Sequence, residues 1–179
     1  MKSGYKKLAG KIVYKNPWIR VREDKILHPD GKPGIYGVVE IQPSVFAVAI
    51  DNDKNVYLTR QHRYPTDNIG LEVPAGSIEG ESLLDAAKRE LNEETGLTAK
   101  KWSALGSYHA MNGYSDSLIH IYLAQDLTQD SGYKPPIGEG VAEVVKVPVA
   151  EVYQLIASQE IIDGQSALAL FIALRELDY

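Results

Sequence analysis

The sequence predicts a layered α/β (α+β) domain behind a small all-strand unit, and three observations carry that prediction. The run "VFAVAI", residues 45–50, is continuously apolar, as a central strand covered on both faces requires. Strand-like segments alternate with helices that have clear start and stop signals. Residues 1–42 carry strand and turn signals and no helix signal, so they are expected to form a separate antiparallel β unit, with the main domain at 43–179.

The elements follow in order. "KIVYKNPWIRVREDKIL" alternates apolar and polar residues, "HPDGKPG" carries turn chemistry, and "IYGVVEI" is a further strand. "SVFAVAI" and "NVYLTRQHR" flank "DNDK" as a hairpin. A helix is expected over 83–95. Ser82 and Asp85 form an S-x-x-D start, Leu84, Ala87 and Leu91 recur at helical spacing, and Gly96 suits a left-handed residue after the last turn. "KWSALGSYHA", "SDSLIHIYLAQDL" and "AEVVKVPV" read as strands. "TQDSGYKPPIGEG" reads as an exposed loop, and "AEVYQLIAS" and "QSALALFIALREL" read as closing helices.

Composition narrows the function. The chain has 179 residues, of which 44% are apolar, enough for one domain with a proper core and a small appendage. Its net charge of -5 argues against nucleic-acid binding, which wants a basic face, yet allows a small phosphate ligand held by local arginines. There is no cysteine, hence no disulfide and no thiolate metal site, and a cytoplasmic setting fits. The N-terminal stretch has no long apolar core and does not read as a signal peptide. No run reaches the roughly 18 apolar residues of a membrane span.

The chemistry concentrates in "PAGSIEGESLLDAAKRELNEETGL", residues 74–97. On a helix, Glu90, Glu93 and Glu94 share one face, where like charges repel. A solvated face beside Arg89 is one outcome. The other is a hard-cation site, because clustered carboxylate oxygens suit Mg²⁺, with Mn²⁺ as the alternative, and a cation turns repulsion into attraction.

The segment resembles the Nudix hydrolase signature, G-x5-E-x7-R-E-U-x-E-E-x-G-U, with U an aliphatic residue. Glu81, Arg89, Glu90, Leu91, Glu93, Glu94, Gly96 and Leu97 match its second half in full. The first half departs, with four residues between Gly76 and Glu81 instead of five. The resemblance implies an α/β/α sandwich with a mixed sheet. It implies metal ligation by Glu90, Glu94 and the Ala75 backbone carbonyl, with Glu93 holding metal-bound water or adding a further ligand. It makes Glu81 and Arg89 mainly structural, Arg89 balancing charge within the catalytic set.

The surrounding sequence resembles the ADP-ribose pyrophosphatase and nucleoside-diphosphate-sugar hydrolase branch. "LTRQHRYPTDNIGLEVPAG" matches its "RQ-aromatic-R … E-hydrophobic-P-A-G" run, which implies that Arg63 contacts substrate phosphate and that Glu72 lies near the substrate. The N-terminal unit fits a branch of homodimers that exchange N-terminal sheets, and Trp18 and Tyr36 stand where aromatics stack on the base. "NGYSDS" has Asn112 and Ser117 where the branch has Pro and Glu, so strict ADP-ribose specificity is not expected. Glu139 is the first choice for managing the attacking water, although it lies four residues before Glu143 where the branch has three. Asp116 is the second choice and Glu93 the third. The implied reaction is metal-dependent hydrolysis of a nucleoside diphosphate sugar to NMP and sugar phosphate. The alternatives are a dinucleoside polyphosphate or NADH pyrophosphatase, and a non-catalytic nucleotide-sugar sensor.

Overall fold

The computed structural model describes residues 4–133 and 141–179. The chain forms two compact units, Met1–Pro43 with Tyr108–Leu118, and Ser44–Ser107 with Ile119–Tyr179. Glu139 lies outside the described residues.

The first unit is an antiparallel three-stranded sheet of β1 (Lys6–Lys15), β2 (Ile19–Leu27) and β3 (Pro33–Ile41), in that order. β1 starts five positions before the alternation in the sequence suggests, and every residue of it is exposed. The Asn16 side chain accepts from the backbone N–H groups of Trp18 and Ile19, at 2.9 and 2.7 Å, and so forms the turn into β2. A run of opposite charges crosses the sheet: Lys7 pairs with Asp24, Asp24 with Arg22, and Arg22 and Arg20 both with Glu40. Chain segment 113–115 joins this unit through the Val39 N–H, which donates to the Tyr114 carbonyl at 2.7 Å.

The second unit is built on a mixed sheet. Its strands are β4 (Ser44–Ile50), β5 (Asn55–Arg63), β6 (Asn68–Glu72), β7 (Ala75–Ser77), β8 (Leu97–His109), β9 (Leu118–Gln129) and β10 (Val141–Pro148). The order is β10-β5-β4-β9-β8, with β6 on β5 and β7 on β4. β4 runs parallel to β9 and antiparallel to β5. α1 (Leu83–Thr95) follows β7. A 3-10 turn at Val149–Glu151, α2 (Val152–Ala157) and α3 (Gly164–Glu176) close the chain.

β4 explains the layers. Alternate residues of a strand face opposite sides. Val45 packs on Ala86 and Ala87 of α1, and Ala47 and Ala49 cluster with Leu91. The small side chains at 47 and 49 let the helix come close. Burying Leu91, which is fully inaccessible, contributes about 1.5–3 kcal/mol. Phe46 faces the other way, toward residues 162–164 before and at the start of α3.

Strands β6 and β7, which sequence reasoning leaves as loop, decide where the chemistry sits. The β4–β5 ladder covers only Ala49↔Tyr57 and Ile50↔Val56. Beyond it β5 pairs with β6 and β4 pairs with β7, so residues 68–77 are inserted between two splayed strands. The pairing energy of that gap comes from tertiary partners, and neither five nor three residues show a period of their own.

α1 has the limits expected from its punctuation. Ser82 accepts from the Asp85 N–H at 3.2 Å, and its hydroxyl donates to the Asp85 carboxylate at 2.7 Å, so one arm of the capping box forms. Gly96 has φ +68° and donates to the Asn92 carbonyl. The Tyr133 ring lies where a Cβ at Gly96 would be. Gly96→Ala is therefore expected to destabilise the protein by about 1–3 kcal/mol, from backbone strain and overpacking together, as urea unfolding will measure.

Candidate active site

The inserted segment brings "PAG" to α1. Gly76 pairs with Val45, whose side chain faces the helix, so any side chain at 76 would also face it. That space holds the Glu90 carboxylate, and a Cβ would fall inside it. The loop glycine thus sits opposite a helix acid that needs its volume. The Ala75 N–H leaves β7 on the side away from β4 and donates to Glu94 Oε2 at 3.2 Å. Glu94 Oε1 accepts from Gln61 Nε2 at 3.1 Å.

Glu90 and Glu94 are nearly buried, at 9% and 6% exposure, whereas Glu93 is exposed. Burial pushes the Glu94 carboxyl up to about 8, and the neighbouring Glu90 charge adds to the rise; hydrogen bonds from Ala75 and Gln61 and the charge of Arg63 oppose it. The three acids of the helix face therefore divide into an inward pair and an outer member.

Arg89 holds this arrangement. Its guanidinium donates to Glu81 at 2.9 Å, Glu90 at 2.7 Å, Glu93 at 2.9 Å and the Ser77 carbonyl at 2.8 Å. Although burial works against its charge, these carboxylates raise its pKa above the usual value. The shortened loop still delivers Glu81 to Arg89. Gly80 takes φ +102°, and the Glu79 N–H donates to Glu81 at 3.1 Å.

Arg63 and Glu72 meet beside this group. Arg63 Nε donates to both Glu72 oxygens at 3.0 and 3.1 Å, and Nη2 donates to Oε2 at 2.5 Å. Those bonds raise the Arg63 pKa against burial, with Glu94 and Asp163 adding to the rise. The pair lines a cleft of about 380 Å³ with Phe46, Asn68, Ile162 and Asp163. A guanidinium carries five N–H groups, so this grip leaves donors for an anion in the cleft.

Glu139 lies outside the described residues, and Trp18, Tyr36 and Asp116 belong to the first unit. Trp18 is 76% exposed and lines a hollow of about 380 Å³ with Arg20, Glu40 and Asp116. Tyr36 donates to the Gly113 carbonyl at 2.5 Å and meets Tyr5 edge-on. The two aromatics are not brought together within one chain. Tyr36 pairs with Asp24, five residues along β2 from Ile19, the neighbour of Trp18, and five residues of strand span about 17 Å. Sequence reasoning assigns no role to Gln61, which is 1% exposed and touches Glu94 directly. Alternation along "NVYLTRQHR" is the signal that places it inward with Thr59.

Among the described residues, no three acidic or histidine side chains converge as a ready-made metal cluster, and Arg89 pairs with both Glu90 and Glu93. The donor set nevertheless fits a hard cation. Two buried carboxylates face a glycine-lined backbone, their donor atoms are all oxygen, and a cation between them would offset their mutual repulsion. No described helix is long and apolar enough to cross a membrane.

Residues 40–166 match the NUDIX domain, and residues 5–39 match the nucleoside diphosphate sugar hydrolase N-terminal domain. The ADP-ribose pyrophosphatase of Bacillus subtilis is 28% identical over 173 residues, 96% of this chain and 94% of that protein. The ADP compounds hydrolase NudE of Escherichia coli is 31% identical over 124 residues, 67% of this chain and 64% of that protein. A crystal structure of an ADP compounds hydrolase superposes with a TM-score of 0.84 at 25% identity, covering 97% of this chain and 94% of that one.

Proposed function

This chain belongs to the Nudix family, and we propose that it hydrolyses the diphosphate of ADP-ribose or a similar nucleoside diphosphate sugar, giving NMP and a sugar phosphate. The observation that carries the reading is the buried Glu90–Glu94 pair against the Ala75–Gly76 backbone, with the Arg63–Glu72 cleft beside it. The N-terminal match to sugar nucleotide hydrolases favours this substrate class over a dinucleoside polyphosphate or NADH.

Each residue has a task in this reading. Glu90, Glu94 and the Ala75 carbonyl hold a divalent cation, Mg²⁺ or Mn²⁺. Ala75 is extended and its N–H points to Glu94; in such a residue the carbonyl leaves on the same side. When bound, the cation neutralises diphosphate charge and acts as a Lewis acid. Glu93, on the outer edge, binds water or completes the ligand set. Arg89 fixes Glu90 and the loop and keeps the acids from scattering. Arg63, aimed by Glu72, grips a substrate phosphate. Glu139 manages the attacking water, with Asp116 and Glu93 as successive substitutes. Trp18 and Tyr36 serve base binding in a homodimer formed through residues 1–42. A base stacked on both rings needs the second copy, since Trp18 and Tyr36 lie toward opposite ends of β2. Leu8, Ile12, Val13 and Tyr14 are exposed on the edge strand β1 among four lysines, and these apolar side chains support such a cover.

A panel of ADP-ribose, other NDP-sugars, NADH and dinucleoside polyphosphates, with and without EDTA, tests the reading through kcat/KM. It requires ADP-ribose or another NDP-sugar to lead and EDTA to abolish turnover. Equal inertness toward all of them with Mg²⁺ and Mn²⁺ would refute it. Arg63→Ala is expected to raise KM about 10- to 100-fold with a smaller change in kcat, the loss of one bidentate charge-assisted contact.

A further inference from the structure

We propose that Gln61 is a positioning residue for the cation site, a role that rests on the reading of Glu94 as a ligand. Gln61 sits on β5 with Thr59 and Arg63 at alternate positions, so the three share one side of the strand. Its carboxamide nitrogen donates to Thr59 Oγ1 at 2.9 Å and to Glu94 Oε1 at 3.1 Å. The Thr59 hydroxyl is itself fixed, donating to the Glu72 carbonyl at 3.4 Å. The amide is thereby locked in one orientation, with an N–H aimed at Glu94. Gln61 is 1% exposed and Thr59 is fully buried, so water does not compete for these groups.

The consequence is geometric. The three rotatable bonds of the Glu94 side chain are free only if nothing holds its end; Gln61 and the Ala75 N–H hold one oxygen each. What each oxygen has left is directed away from β5 and β7. Two residues along the same strand, Arg63 holds Glu72 at the cleft. Alternate residues on a strand are about 6.6 Å apart, so β5 sets the spacing between the group that aims the cation ligand and the group that grips phosphate. Outer partners of this kind fix ligand orientation, and their loss commonly lowers metal affinity 10- to 100-fold.

Mn²⁺ alone serves as the probe, titrated by calorimetry into wild type, Glu94→Gln, Gln61→Met and Thr59→Val, with a thermal melt of each. Methionine keeps the length and apolar stem of Gln61 and removes the donor. Gln61→Met is expected to bind Mn²⁺ at least about 10-fold more weakly, and Thr59→Val about threefold more weakly, because the valine no longer orients the amide. A residue that only packs the core would lower the melting temperature and leave Mn²⁺ affinity alone. Binding by Gln61→Met within twofold of wild type overturns the proposal whatever its melting temperature. Should that variant not fold, unchanged affinity in Thr59→Val overturns it instead. Wild-type binding by Glu94→Gln would sink the underlying ligand assignment, an outcome distinct from loss in Glu94→Gln with no change at Gln61.

Discussion

Glu94→Gln is expected to lower turnover of the preferred sugar nucleotide about 100-fold or more and to flatten the pH dependence of the cation-free protein's stability. Changes to outer partners of a metal already cost 10- to 100-fold, and a ligand should exceed them. The stability effect follows from the raised carboxyl. An ordinary glutamate ionises near 4.5, while Glu94 in the fold does so at about 8, chiefly because it is buried. Between these values the folded chain keeps a proton that the unfolded chain releases. Stability therefore falls as pH rises from about 5 to 8, and is level with respect to this group outside that window. Glutamine cannot ionise, so that slope disappears. Its absolute melting temperature is less telling, since its NH₂ would meet one of the two donors that now face the carboxylate. A divalent cation favours the ionised form, so its stabilising effect on wild type should be larger at pH 8 than at pH 6 and should be small in the variant. Thermal melts across pH, with and without Mg²⁺, read both effects. An unchanged slope in Glu94→Gln would show that some other group titrates.

Arg89→Ala is expected to produce the largest loss of stability, about 2–4 kcal/mol, or a melting temperature lower by about 5–12 °C. One guanidinium bridges Glu81, Glu90 and Glu93 and ties the loop to α1 through the Ser77 carbonyl. Its removal takes the Arg89 charge away from Glu90, which is buried on the same helix face as Glu94, and breaking a buried pair on one side is costlier than never having built it. Divalent cation should restore part of the loss, since it repairs the charge, and not all of it, since the Ser77 tether stays broken. Lysine should be intermediate because a single ammonium cannot span a fork of partners. Urea melts with and without Mg²⁺ measure this. A loss below 1 kcal/mol would mean the acids spread to solvent and that Arg89 does not organise them.

Local signals were readable where the physics is local. Ser82 and Gly96 mark both ends of α1 because capping depends on neighbours within four residues. "VFAVAI" reads as a central strand because burial on both faces requires apolar residues throughout. The insertion of β6 and β7 was not readable, since it depends on β4 and β5 parting after two residue pairs. For the same reason the sequence brings "PAG" near the helix only by resemblance, while the space that Glu90 takes at Gly76 needs the fold. The clustered acids were legible as a group; that Glu90 and Glu94 turn inward and Glu93 outward was not, because a helix face is wider than one site. Gln61 was hidden by its neighbours, as arginines on either side draw the eye to charge. Trp18 and Tyr36 were visible as aromatics, but strand register alone sets the distance between them.

The short loop between Gly76 and Glu81 bears on how such chains are recognised. A text pattern that insists on five intervening residues passes over this protein. Its loop meets the same obligations with four, because Gly80 turns through a positive φ and Arg89 gathers Ser77 and Glu81 from either side of the gap. What defines the motif physically is a set of tethers, and the letter count between them is free to drift by the amount one glycine can absorb. Detection by tether geometry would retrieve members that spelling discards.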